Sequence, residues 1–291
     1  MSEEFATKLK ETARLVELEL DRILPTPDGN PLGEPMRHAV LNGGKRLRAY
    51  LVMESAKMFG VDNKKAVAVA SAIECMHAYS LVHDDLPCMD DDDLRRGQPT
   101  VHVKWDQATA VLVGDALQTF AFEILGGLNT SAEVRVTLMT TLAKAAGANG
   151  MVLGQVQDIA AETARKKLNL EQIAQLQANK TGALIEWSAT AGAMIGRQYI
   201  GPLVEYAAAL GQAFQIVDDI LDVEGDANTA GKRLKKDAAA GKATFVSLLG
   251  LDGAKARAAE LINTANTALA PYGASADPLR HVAQFVLHRD M

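Results

Sequence analysis

The sequence predicts an all-α protein, and three observations carry that expectation. Alanine-rich stretches with apolar residues three to four positions apart recur from one end to the other. Aromatic residues are only 5% and β-branched runs are short, so strands have little to build on. Helix breakers separate the periodic stretches.

Taken in order, a first helix is expected over about 3–23, stopped by Pro25-Thr26-Pro27-Asp28-Gly29-Asn30-Pro31. Helices over about 33–42 and 45–59 follow, the latter closed by Gly60, then one over about 63–84. Gly97-Gln98-Pro99 precedes a helix over about 105–126, and Gly126-Gly127 ends it. Gly147 divides helices over about 131–146 and 149–163. Further helices are expected over about 171–187, 188–198, 202–224, 242–250, 252–269 and 275–288, with breaks at Gly201-Pro202 and Pro271-Tyr272-Gly273. Ala66–Ile73 and Gly182–Ile195 are apolar almost all round, so they belong inside a multilayer helical bundle. The absence of a long linker or fixed-period repeat predicts a single domain over 1–291.

Composition narrows the function. The 291 residues are 48% hydrophobic and 23% charged, ordinary globular values that permit a large core. The net charge of −6 and the lack of a basic stripe argue against nucleic acid. Apolar runs are interrupted by Gly or polar residues, which argues against a membrane span. The acidic start lacks a signal-peptide core, and Cys75 and Cys88 have no pairing or metal spacing. A reduced, cytoplasmic protein is expected.

The charge is concentrated in two knots. Six of the ten residues from Asp84 to Asp93 are aspartate, and Asp218-Asp219-Ile220-Leu221-Asp222 forms the second. Leu86, Met89, Ile220 and Leu221 lie among these charges, unlike a solvated acidic tail. Such carboxylate clusters repel unless cations occupy them, and oxygen donors with water suit Mg²⁺. Asp218 and Asp222 share a helical face, while Asp219 points elsewhere. On a straight helix Asp90 would lie about 120° from Asp84 and Asp91 nearly in line. Pro87 interrupts that helix, so spacing leaves Asp90 and Asp91 both open.

Cations accompany the acids. Gly43-Gly44-Lys45-Arg46-Leu47-Arg48 reads as a helix start that favours an anion, with Lys45 and Arg48 on one face. Arg95 and Arg96 offer planar forks beside the first knot. Lys180-Thr181-Gly182, Gly231-Lys232-Arg233 and Gly241-Lys242 add lysines among small residues. A cleft with carboxylates for metal and many cations suits a diphosphate. His77 shares a helical stripe with Ser80 and Asp84, whereas His83 faces elsewhere.

Nearly the whole chain resembles the bacterial short-chain trans-prenyl diphosphate synthases, the farnesyl-producing kind most. The resemblance rests on Gly43–Arg48, on Glu74–Gly97 with its first aspartate-rich motif, on Gly114-Asp115-Ala116-Leu117, on Lys180-Thr181-Gly182 and on Phe214–Asp222. Ala49 stands where the family commonly has proline. The resemblance implies the isoprenoid synthase bundle, with a central cavity between two aspartate-rich helices. It implies condensation of isopentenyl diphosphate with dimethylallyl and geranyl diphosphate to give farnesyl diphosphate.

Asp84, Asp90 and Asp218 would ligate three Mg²⁺ ions, with Mn²⁺ as a substitute. Arg95, Lys180 and Lys232 would hold the allylic diphosphate; Lys45, Arg48, His77 and Arg96 would hold that of isopentenyl diphosphate. Lys180, Thr181 and Gln215 would face the allylic cation, while Tyr79, with small Ser80 beside it, would set chain length. A homodimer is also implied, and the 105–126 helix could supply its interface. Glu224–Lys242 reads as a lid. Rival readings are a geranylgeranyl or geranyl diphosphate synthase, a class I terpene cyclase, and a non-catalytic synthase partner. Lys45, Arg48 and His77 argue against the cyclase, and two intact aspartate motifs against the silent partner.

Overall fold

The computed structural model describes residues 3–164, 167–224 and 243–288. The path begins with α1 (Glu3–Ile23), α2 (Gly33–Leu41), α3 (Leu47–Met58) and α4 (Asn63–Asp84). A two-strand hairpin, β1 (Leu94–Arg95) with β2 (Gln98–Pro99), leads into α5 (Val101–Lys104), α6 (Gln107–Gly126), α7 (Ala132–Ala146) and α8 (Met151–Glu162). Helix α9 (Leu170–Gln177) runs through a π turn (Ala178–Gly182) into α10 (Ala183–Ile195). Then come α11 (Gly201–Glu224), α12 (Phe245–Ala268), a 3₁₀ segment (Ala270–Ala276) and α13 (Asp277–His288).

Local chemistry starts several of these helices. The side chains of Asp62, Asp106 and Ser131 accept from first-turn amides of α4, α6 and α7. Asn169 with Gln172 and Thr244 with Ser247 form reciprocal caps on α9 and α12.

Helices α3 and α10 contribute to both main clusters of buried side chains. One cluster gathers α1, α2, α4, α6 and α7. The other gathers α11, α12 and α13, with Phe5 and Leu9 of α1. Gly192 lets α10 press onto α3: a Cβ there would lie 2.1 Å from the Ala56 nitrogen. Its amide donates to Ser55 Oγ at 3.2 Å. Ala66–Ile73 and Gly182–Ile195 lie mostly in the interior, as their largely apolar character requires.

Several boundaries differ from the expectations. The 45–59 helix starts at Leu47, because Arg46 adopts a left-handed backbone with φ 50°. The 105–126 helix starts at Gln107, because Asp106 takes up the cap of α6, and the short α5 precedes it. The 171–198 region is joined through the π turn rather than broken at 187. By contrast, Gly250, at φ 70° and ψ 167°, breaks the helical path inside Phe245–Ala268 at the junction expected between the 242–250 and 252–269 helices. The hairpin occupies the break at Gly97-Gln98-Pro99. Helix α6 is long and apolar enough to cross a membrane by length and composition. It packs Ala110, Val113, Leu117, Ala121 and Leu125 inward along one helical stripe.

Candidate active site

The first aspartate motif is a helix end that folds back on itself. Helix α4 stops at Asp84, and the Asp90 amide donates to the Asp84 carbonyl at 2.8 Å. The amides of Met89 and Asp91 return to Leu86, and that of Asp92 to Asp85. This brings Asp90 beside Asp84, while Asp91 takes a left-handed backbone at φ 50°. Burial lifts the Asp84 carboxyl to about 6; Lys180 and Arg95 oppose the rise, while Asp90 and Asp85 add to it. Asp85 is 4% exposed and takes the Arg95 guanidinium, with Nε–Oδ1 at 3.1 Å.

The hairpin sends its two arginines in different directions. Arg95 reaches the acidic loop, whereas Arg96, at φ 55° beside Gly97, donates to the Gly43 carbonyl. Gly44 makes room for it: a Cβ there would sit 2.6 Å from Arg96 Cζ, at a backbone φ of 115°. Arg48 lies within 3.4 Å of His77 Nε2. Burial and the charges of Arg48, Arg96, Arg46 and Arg95, in that order, hold His77 well below its ordinary value. The imidazole is therefore neutral, and Nε2 accepts from Arg48. Arg48 and Arg96 are lowered chiefly by burial, and each repels the other cations in this lobe.

Lys45 departs from the one-face expectation. It precedes the helix, and its ammonium stands 5.2 Å from the centre of the Phe285 ring. The left-handed turn at Arg46 separates Lys45 from the helical face that carries Arg48.

Lys180 and Thr181 lie in the π turn, a wide helical ring that recurs at functional sites. Lys180 donates to Asp158 Oδ2 of α8 at 2.7 Å, and Asn179 donates to Gln157 Oε1 at 3.0 Å. Gly154 brings α8 against this turn: a Cβ would come within 2.1 Å of the Lys180 nitrogen. Across α11, Gln215 donates to Asp218 Oδ2 at 3.4 Å, and Asp218 also supports the charge of Arg48. Asp219 points away and accepts from the Phe245 amide at 2.7 Å. Tyr79 is 5% exposed, edge-on to His83 at 5.8 Å, while Ser80 turns its hydroxyl back to the His77 carbonyl.

The donor set suits a hard divalent cation: burial already works against the Asp84 charge, and Asp85 and Asp90 add repulsion that such a cation would relieve. Among the described residues no three His, Cys, Asp or Glu side chains form a ready metal cluster. Lys232 and the 225–242 part of the expected lid lie outside the described residues. Sequence spacing missed Asp158 and Gly154 as parts of this region, and gave no separate role to Arg46 and Glu74 within the motifs that contain them. Asp158 and Lys180 are 22 positions apart, and no periodicity links them.

The family description Polyprenyl synthetase matches residues 30–270. A farnesyl diphosphate synthase of Escherichia coli is 44% identical over 279 residues, covering 92% of this chain and 93% of that protein. The apo crystal structure of a FPP/GFPP synthase from Zymomonas mobilis is 44% identical with a TM-score of 0.90, covering 99% of this chain and 100% of that one. A Helicobacter pylori geranyltransferase, complexed with magnesium and isoprenyl diphosphate, is 34% identical with a TM-score of 0.83, covering 99% and 97%.

Proposed function

Because this chain belongs to the polyprenyl synthetase family, we infer that it is a trans-prenyltransferase joining isopentenyl diphosphate to dimethylallyl and geranyl diphosphate, with farnesyl diphosphate as product. The observation that carries the two-substrate reading is the pairing of an acidic loop with a nearby cation lobe. Asp84, with Asp90 beside it, feels the charges of Lys180 and Arg95, while Arg48, His77 and Arg96 make a second anion site. One domain over 1–291 accommodates both.

Arg95, Lys180 and Lys232 hold the allylic diphosphate. Lys45, Arg48, His77 and Arg96 hold the other diphosphate, with neutral His77 donating through Nδ1–H. Asp84, Asp90 and Asp218 are the metal ligands. Bound Mg²⁺, three ions in our reading and replaceable by Mn²⁺, supplies positive charge that offsets charge on the leaving group. Allylic ionisation breaks the carbon–oxygen bond, and the bond electrons leave with diphosphate. The Lys180 carbonyl, Thr181 hydroxyl and Gln215 amide oxygen face the cation without adding to it. The isopentenyl double bond then forms the new carbon–carbon bond, and departed diphosphate takes the final proton. Placing both diphosphates in one cleft supplies the proximity this addition needs.

Tyr79 is the floor that sets a C15 product, with Ser80 beside it. Two copies of the chain assemble through α6, whose exposed Val111 and Leu112 support that interface. A cytoplasmic location is the reading that the bacterial relatives support. Product analysis with dimethylallyl and labelled isopentenyl diphosphate, with and without Mg²⁺, tests the reaction. A metal-dependent C15 product is expected; no elongated product would overturn the enzyme reading, and C10 or C20 would move it to another synthase.

A further inference from the structure

Arg46 and Glu74 form a buried ion pair that takes no part in the proposed chemistry. Their side chains are only 1% and 2% exposed, with Arg46 NH1 3.1 Å from Glu74 Oε2. The second guanidinium nitrogen donates to the Val40 carbonyl and reaches Glu17 Oε1 at 3.5 Å. Arg46 Nε is buried without a partner, so two nitrogens carry the whole attachment. Glu74 uses its other oxygen to accept from the Ala49 amide at 3.0 Å. One carboxylate therefore ties both the left-handed residue before α3 and an amide in its first turn to α4.

This attachment lies where two segments of the cation lobe meet. Arg48 is between Arg46 and Ala49 in sequence, and its partner His77 is three residues beyond Glu74 on α4. Arg96 bonds Gly43, just upstream of the same turn. Glu74 also offsets the repulsion that burdens Arg48 and Arg96. We propose that Glu74, acting through Arg46 and the Ala49 amide, is the positioning residue that holds the isopentenyl diphosphate lobe in shape. This inference rests on the two-substrate reading above and names what orders one of its two sites.

Two physical roles predict opposite outcomes. If Glu74 merely diluted positive charge, Glu74→Gln would tighten binding of a diphosphate. If it positions the lobe, the substitution costs affinity, because a misplacement of about 1 Å can cost about a hundredfold in rate. Steady-state kinetics of Glu74→Gln should show at least about a tenfold rise in KM for isopentenyl diphosphate, about 1.4 kcal/mol, with the allylic KM within about twofold. Equal changes in both constants, or an unchanged or lower isopentenyl KM, would overturn the proposal.

Leaving one buried charge unpaired can prevent folding, whereas replacing both partners by apolar groups is often tolerated. Arg46→Met with Glu74→Leu supplies the second test. The same selective rise supports positioning, and parallel changes oppose it. Wild-type protein that makes no elongated product would count against the reaction itself. Wild-type turnover without a selective change in the variants would count only against Glu74.

Discussion

The chain-length role proposed for Tyr79 rests on its place on α4, five residues before Asp84, a rise of about 7.5 Å along the helix. Its ring is buried against His83, so truncation opens space in the core. Tyr79→Ala should lengthen the product toward C20, read by chromatography of labelled products; an unchanged C15 product would remove Tyr79 as the floor. Loss of the buried aromatic should also destabilise the protein by about 3–5 kcal/mol in urea unfolding. Asp84 gives a pH prediction. Its folded carboxyl is raised to about 6 by burial, whereas the unfolded group titrates near its ordinary value of 3.8. The unfolded chain therefore releases this proton first, and the metal-free fold loses stability as pH rises from about 4 to 6. Above that window the cost has a ceiling of about 3 kcal/mol. Metal-free Asp84→Asn should be more stable than wild type at about pH 7.5 and nearly equal at about pH 3.5. Urea unfolding reads both conditions; equal stability at the higher pH would contradict the burial cost.

Among the elements, the π turn depends on a neighbour that its own sequence does not announce. Gly154 admits the Lys180 backbone, Gln157 holds Asn179, and Asp158 holds the Lys180 ammonium. A methyl group at 154 would press on backbone rather than on a yielding side-chain end. Gly154→Ala should cost about 1–3 kcal/mol in urea unfolding through overpacking. It should also lower kcat, because Lys180 and Thr181 move together; full activity would show that this approach is unimportant. The helical periods were legible because α4, α6 and α11 carry local patterns of burial. The left-handed start at Arg46 was not legible, because only its long-range hold on Glu74 accounts for that placement.

At the scale of the molecule, α6 gives one stripe to the core and leaves Val111 and Leu112 outside, at 41% and 54% exposure. The dimer reading assigns that surface to a second copy. Val111→Lys with Leu112→Lys should shift the dimer toward monomer in sedimentation velocity while leaving far-ultraviolet circular dichroism unchanged. A dimer of unaltered stability would move the interface elsewhere. Placing α3 and α10 in both buried clusters also means that strain near Gly192 reaches both sides of the bundle.

By itself, the sequence determined the all-α class, the order of the main helices, and the acidic and basic motifs that identify the family. Those properties follow from periods and breakers within short stretches of chain. Only the tertiary structure decided that Arg48 meets His77, Lys180 meets Asp158, Arg95 meets Asp85 and Glu74 carries Arg46. Many cations and carboxylates were available to each partner. Packing selected these pairs, because contacts between helices depend on crossing positions that a charge pattern along one helix does not contain.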